Sequence, residues 1–295
     1  MLSPELQAKI KYLQLKASHH AQDVLSGEYK SSFRGRGMEF DEVRAYQPGD
    51  DVRAIDWNVT ARMNEPHIKV FREEREMTLM IMLDVSASQH LKSSGRSKLE
   101  VSAEIAAILA FLATRNNDKV GLILFGGAVV KYIPPRKGRG HIWQIIQAIM
   151  SDHKMDRATA LSSTVKDYLK RHRRRQLCVL ISDFLVPESE LEDLRLLGLK
   201  HNTLAIQVRD PIERELPKAG LVFLKDLESG ERRLVNTSAA GFRESYLKKQ
   251  ADFYHRVEQG MRLAGIHFGS LTTQDEPVEL LQKLLHEHAL RRQHP

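Results

Sequence analysis

The sequence is poor in several residue types, and each shortage excludes some functions. Cys178 is the single cysteine among 295 residues, so no intramolecular disulfide and no multi-cysteine zinc site can form. We expect it to pack as a small hydrophobic residue. No apolar run reaches the ~20 residues of a membrane-spanning helix. The first residues also lack the basic head and apolar core of a signal peptide, so we expect a cytoplasmic protein.

The remaining composition is that of an ordinary globular protein. Hydrophobic residues make up 42% of the chain and charged residues 28%, and aromatic residues only 6%. A chain of this length can bury a large core as one α/β domain with appendages, or as two domains. Neither Gly-Arg-Gly triplet, at 35–37 and 138–140, continues into a nucleotide-binding pattern.

Two short apolar runs are each followed by an aspartate. Residues 80–83 (Met-Ile-Met-Leu) precede Asp84, and residues 177–181 (Leu-Cys-Val-Leu-Ile) precede Asp183 with one serine between. Such runs predict buried parallel strands. Because open α/β sheets bind ligands at the carboxyl ends of their strands, both aspartates are candidate site residues.

Hydroxyl residues complete the candidate site. Asp84 opens an Asp-x-Ser-x-Ser string that supplies Ser86 and Ser88, and Thr159 lies in a separate polar segment. Together with Asp183 these side chains offer only hard oxygen atoms, which suit Mg²⁺ or Mn²⁺. Two carboxylates and three hydroxyls, some acting through water, would leave a coordination position open for a carboxylate from outside.

The other elements alternate between strands and helices, which predicts a doubly wound sheet. A capping box at Ser97 to Glu100 predicts the start of a helix with apolar residues at helical spacing. Residues 119–125 and 128–133 predict a hairpin around a Gly-Gly turn, ended by Pro134 and Pro135. Further predicted helices cover 139–151, 160–172, 188–197, 241–263 and 277–290, and further strands cover 202–208 and 266–270.

The segment before the sheet is rich in arginine and aspartate. Residues 35–74 predict a short hairpin, a Pro-Gly turn and a polar turn around Asp56, with Arg/Asp pairs that could lock the loops together. We predict three parts in the chain: an N-terminal helix in 1–28, this segment in 29–76, and an α/β domain in 77–290 with an inserted hairpin at 211–240.

Two parts of the sequence resemble known families. The loop from Asp84 to Ser88, with the distant Thr159 and Asp183, is similar to the metal-ion-dependent adhesion site (MIDAS) of von Willebrand factor A domains. The string from Gly35 to Trp57 resembles the bacterial domain-of-unknown-function 58 family, in which it precedes such a domain.

This resemblance, which extends from about residue 35 to 183, implies a fold and a partner. The fold would be a von Willebrand factor A-like (Rossmann-like) α/β domain with a doubly wound, mostly parallel sheet, an N-terminal helix and hairpin extension, and an inserted β-hairpin. The partner would be a MoxR-type AAA+ ATPase, acting with this protein in chaperone-like maturation of other proteins or insertion of their metal cofactors.

Two other function classes compete with this hypothesis. The net charge of +7 and the basic run at 170–175 are compatible with nucleic-acid binding, but no aromatic residue interleaves with that run, and cations also favour helix C-termini. A metal-dependent nuclease or phosphatase would need a general base beyond the weakly basic hydroxyls of this set. We therefore expect a non-enzymatic module that uses Mg²⁺ or Mn²⁺ to recruit an acidic group of a protein partner.

Overall fold

The computed structural model describes residues 4–23, 29, 39–72, 77–93, 95–151, 159–225 and 230–293. Residues 33–77 form one compact unit, and the rest of the chain forms another. The Gly-Arg-Gly triplet at 35–37 lies outside the described residues. No helix in the described part of the chain has the length and hydropathy to cross a membrane.

The smaller unit is built on two antiparallel strands, β1 (Glu39–Ala45) and β2 (His67–Arg72). The hairpin expected in segment 29–76 is formed by β1 and β2, but its connection is long instead of short, because β2 begins more than twenty residues after β1 ends. Between them lie a 3₁₀ turn (Val52–Ala54) and helix α2 (Trp57–Met63). The predicted Arg/Asp locking is present, since the Arg44 guanidinium donates to both carboxylate oxygens of Asp50 at 2.8 and 2.7 Å.

A six-stranded sheet forms the centre of the larger unit. Its order is β10-β7-β6-β3-β4-β5, and every neighbouring pair is parallel except β4 and β5. The strands are β3 (Thr78–Asp84), β4 (Lys119–Phe125), β5 (Val129–Arg136), β6 (Leu177–Ser182), β7 (Asn202–Arg209) and β10 (His267–Thr272). Helical crossovers join the parallel strands, which confirms the predicted doubly wound, mostly parallel α/β sheet.

The helices of the larger unit are α1 (Pro4–Asp23), α3 (Lys98–Arg115), α4 (Arg139–Met150), α5 (Leu161–Arg171), α6 (Glu188–Glu192), α7 (Leu194–Lys200), α8 (Pro211–Arg214), α9 (Ala240–Leu263) and α10 (Pro277–Gln293). Strands β8 (Leu221–Lys225) and β9 (Arg232–Asn236) form the inserted antiparallel hairpin. Helix α3 is buried on most of its surface because it packs on the sheet and also contacts α1, α4 and α10.

Two details differ from the sequence-based expectation. Strand β5 continues through Pro134 and Pro135 instead of ending before them, which its position at the edge of the sheet allows, since prolines there need donate no ladder hydrogen bond. The single helix expected at 188–197 is two short helices, α6 and α7, that meet at Asp193.

Candidate metal centre

Asp84 is the last residue of β3 and its side chain is fully buried. Strand β3 lies between β4 and β6. The next strands along the chain, β4 and β5, lie on one side of β3, and the later strands β6, β7 and β10 lie on the other side. Asp84 is therefore at the topological switch point, where such sheets bind ligands. One carboxylate oxygen accepts from the backbone N–H of Ser86 at 2.9 Å, and the other accepts from the Ser182 hydroxyl at 2.6 Å. These bonds fix the direction of the carboxylate.

The two serines lie immediately after Asp84. Ser86 precedes a 3₁₀ turn formed by residues Ala87–His90, and its hydroxyl lies 3.1 Å from that of Ser88. Both side chains are buried. Gln89 in the same turn is also buried, and neither atom of its amide group has a hydrogen-bond partner among the described residues. A water molecule or an ion would satisfy a buried polar group of this kind.

Thr159 is 8% exposed and lies just before helix α5. The next residue, Ala160, donates its backbone N–H to the carbonyl of Gly126 at 2.6 Å. Gly126 follows Phe125, the residue of β4 that is paired with Asp84. The fold therefore anchors the threonine segment at the same end of the sheet as the Asp-x-Ser-x-Ser loop.

Asp183 follows β6 directly and is 2% exposed. The next residue, Phe184, has a left-handed backbone with a φ of 57°, which is strained for a bulky side chain. This turn is held by the Phe184 N–H, which donates to Ser182 Oγ at 2.9 Å, and by the Gln207 amide, which donates to the Asp183 carbonyl at 2.9 Å. The strained turn fixes where the Asp183 carboxylate points.

The sequence analysis missed a cation and a third carboxylate beside Asp183. Lys98, the first residue of α3, is fully buried, and its ammonium donates to Asp183 Oδ2 at 2.6 Å and to Glu213 Oε1 of helix α8. A sign of this burial was present in the sequence, because Lys98 is in phase with the apolar stripe that continues through Val101 and Ile105. Glu213 gave no comparable sign.

Asp84 has no salt-bridge partner among the described residues, although its carboxyl is buried. Burial, and secondly the negative charge of Asp183, raise the pKa of Asp84 from its usual 3.8 to about 7. The ionised carboxylate is therefore disfavoured unless a cation is supplied. The residues present fit Mg²⁺ or Mn²⁺, because this uncompensated carboxylate lies beside an all-oxygen set of hydroxyls and a second carboxylate.

A second cluster contains metal-ligating residue types. His20, Glu104 and Glu276 have candidate ligand atoms within 4.8 Å of one another. The two glutamates are already neutralised, since the Lys16 ammonium bonds Glu104 at 2.8 Å and Glu276 at 3.1 Å, and Arg96 bonds Glu104 at 3.2 Å. This cluster is best explained as an ion-pair network that fastens α1 to α3.

Comparison with known proteins identifies the family. The model described as "Protein of unknown function DUF58" matches residues 42–256. An uncharacterized protein of Mycobacterium tuberculosis, Rv1480, is 34% identical over 275 residues, which cover 92% of this chain and 86% of that protein. The uncharacterized protein YeaD of Bacillus subtilis is 28% identical over 134 residues, 45% of this chain and 31% of that protein. The chain belongs to the DUF58 family, as the sequence resemblance predicted.

Solved structures with a similar arrangement are more distant. An aerotolerance-related membrane protein from Bacteroides fragilis aligns over 73% of this chain and 99% of its own, with a TM-score of 0.47 and 19% identity. The SpRpn10 VWA domain aligns over 72% of this chain and 95% of its own, with a TM-score of 0.42 and 13% identity. Nothing about function follows from likenesses at this level.

Proposed function

We propose that this protein is a protein-interaction module in which Asp84, Ser86, Ser88, Thr159 and Asp183 hold Mg²⁺ or Mn²⁺. The bound ion would supply a Lewis-acidic coordination position for a carboxylate of a protein partner. The observation that carries this proposal is Asp84, a fully buried carboxyl with no cation beside it in the described structure. Burying an unpaired carboxylate lowers the stability of the folded protein. Such locally unfavourable groups are expected at functional sites, and a bound divalent ion would compensate the charge of Asp84.

Binding rather than catalysis fits the charges around the site. Lys98 forms a salt bridge with Asp183, so of the two predicted ligand carboxylates Asp84 alone has no salt bridge within the described residues. A hydrolytic metal centre needs a base to activate water, and the three hydroxyls of the ligand set are poor bases. We therefore propose a recruiting role and no turnover.

A partner segment has a route to the site. Ser88 lies on the wall of an open groove with a volume of about 800 Å³. The other walls come from Val186 after β6, from Leu224 and Val235 of the inserted hairpin, and from Phe253 of α9. Arg233 and Glu213 also line this groove. A groove with apolar walls and a candidate metal ligand, Ser88, among its lining residues is suited to a partner segment with an acidic residue next to apolar ones.

The identity of the partner rests on the family resemblance, which implies a MoxR-type AAA+ ATPase or a client protein shared with it. The net charge of +7 would speed the encounter with an acidic partner, and this contribution should weaken as salt concentration rises.

A binding assay with a purified MoxR-type AAA+ ATPase tests the proposal. Complex formation should fall when EDTA is added, in Asp84→Asn, and in the double variant Ser86→Ala with Ser88→Ala, because each removes the ion or its ligands. The matched control is Asp252→Asn, which removes one exposed carboxylate of α9 and should leave the complex intact.

A complex that forms equally well in all three conditions would refute metal-dependent recruitment of that partner. The exposed Trp57, which is 69% accessible in the smaller unit, would then be the next residue to replace.

A further inference from the structure

Lys98 is an unusual residue to find beside a proposed cation site. Its side chain is fully buried at the N-terminus of α3, although lysine is almost never fully buried unless it is paired. Its ammonium nitrogen lies 2.6 Å from Asp183 Oδ2 and also contacts Glu213 Oε1, so it is paired with two carboxylates at once. The site thus contains a positive charge of its own.

The position of Glu213 is fixed by hydrogen bonds at the start of the short helix α8. The backbone N–H of Asp210 donates to Glu213 Oε2 at 2.9 Å, while the other carboxylate oxygen accepts from Lys98. Asp210 also accepts from the backbone N–H of Ser93 at 2.9 Å and from the Ser93 hydroxyl. Helix α8 is therefore fastened to the loop that follows the Asp-x-Ser-x-Ser turn, and it holds Glu213 against Lys98.

The carboxylate of Asp183 would have two positively charged partners, the Lys98 ammonium and a bound ion. Asp183 Oδ2 accepts from Lys98 at 2.6 Å, and Oδ1 accepts from the backbone N–H of Leu185 at 3.2 Å. An ion beside Asp84 must share Asp183 with the ammonium and is repelled by its charge. Glu213 acts in the opposite direction, because it pulls the ammonium away from Asp183 and adds negative charge to the same buried cluster.

We infer that Lys98 and Glu213 set the affinity of the site for divalent ions, with Lys98 as a resident competitor for Asp183 and Glu213 as the carboxylate that draws it away. This inference rests on the proposed function, since it assumes that Asp84 and its neighbours bind an ion. It assigns to Lys98 and Glu213 a positioning role, in which neither residue is itself a ligand.

Titration of Mn²⁺, followed by the electron paramagnetic resonance signal of the free ion, tests the inference. Lys98→Met should bind Mn²⁺ at least about tenfold more tightly than the native protein, because a nearby positive charge is removed in a medium of low effective dielectric. Glu213→Gln should bind at least about tenfold more weakly for the opposite reason. The double variant should have an affinity between those of the two single variants, because it loses one positive and one negative charge together.

The matched control is Glu258→Gln, which changes the same charge at an exposed position of α9 and should leave the affinity unchanged. Glu213→Gln keeps the shape of the side chain, so the test stands even if Lys98→Met does not fold. The inference would be overturned if Glu213→Gln left the Mn²⁺ affinity unchanged, or if Lys98→Met and Glu213→Gln changed it in the same direction. If the native protein still bound Mn²⁺ in a way that depends on Asp84, the proposed function would remain intact. No binding by any of the proteins would overturn the proposed function itself.

Discussion

Replacing Asp84 by asparagine should make the metal-free protein more stable at pH 8, although the substitution removes a residue of the candidate site. Asparagine has nearly the shape of the protonated carboxyl, can accept the N–H of Ser86 and can still contact Ser182. It carries no charge that must be buried. The expected gain is therefore electrostatic, and it should depend on pH.

The size of the effect follows from the pKa of Asp84, which burial and Asp183 raise from 3.8 to about 7. Below about pH 4 the carboxyl is protonated in the folded and the unfolded chain, so the folded state loses nothing. As the pH rises from about 4 to about 7, the unfolded chain releases its proton first, and the folded state becomes progressively less stable. The difference of about three pH units corresponds to on the order of 4 kcal/mol at pH 8.

Urea unfolding of both proteins in EDTA, at pH 5, 6, 7 and 8, measures this difference. The free energy of unfolding of Asp84→Asn, minus that of the native protein, should grow from pH 5 to about pH 7 and then level off toward pH 8, because every other titrating group is common to both proteins. Asp183→Asn is the matched comparison. It removes a carboxylate that is paired with the buried Lys98, and it should destabilise the protein by roughly 3 kcal/mol.

Two results would refute this reasoning. An Asp84→Asn variant that is less stable than the native protein by the same amount at every pH would mean that the carboxyl contributes through hydrogen bonds and carries no electrostatic cost. If Asp84→Asn and Asp183→Asn changed the free energy of unfolding by the same amount, the two carboxylates would have equivalent surroundings, contrary to the position of Lys98.

Two further predictions concern the core. Gly198→Ala should destabilise the protein by several kcal/mol, because an added Cβ would overlap the backbone carbonyl of Ala264. The control is Gly241→Ala, where nothing lies within 4 Å of the new Cβ, and it should be neutral or stabilise the protein by about 0.5–1 kcal/mol. Chemical denaturation measures both effects. Cys178 should not react with a thiol reagent in the folded protein and should react fully in urea. Its side chain is completely buried against the Tyr168 hydroxyl, and burial raises the pKa of its thiol to about 12. Fast labelling of the folded protein would contradict its position in β6.

The parts of the fold that could be predicted from sequence are those with a local signal. The apolar runs before Asp84 and Asp183 mark β3 and β6 because strands buried on both faces show no alternation. The capping box at Ser97 marks the start of α3, where the hydroxyl accepts from the Glu100 N–H at 3.1 Å and the Glu100 carboxylate accepts from the Ser97 N–H at 2.9 Å.

The parts that were missed depend on contacts between distant residues. The pairing of β1 with β2 joins segments that are separated by a helix and a turn, and no local pattern specifies it. Glu213 reaches Lys98 across 115 residues, and its role follows from the position of α8 at the end of β7. Prolines 134 and 135 were expected to end a strand because the sequence does not reveal that β5 is the edge of the sheet.

The most direct test of the central claim is the anomalous diffraction of crystals grown with Mn²⁺. We predict a peak bounded by Asp84, Ser86, Ser88 and Thr159, with Asp183 nearby, and its loss in Asp84→Asn. A peak at His20, Glu104 and Glu276 instead, or full occupancy of the predicted site in Asp84→Asn, would contradict the account.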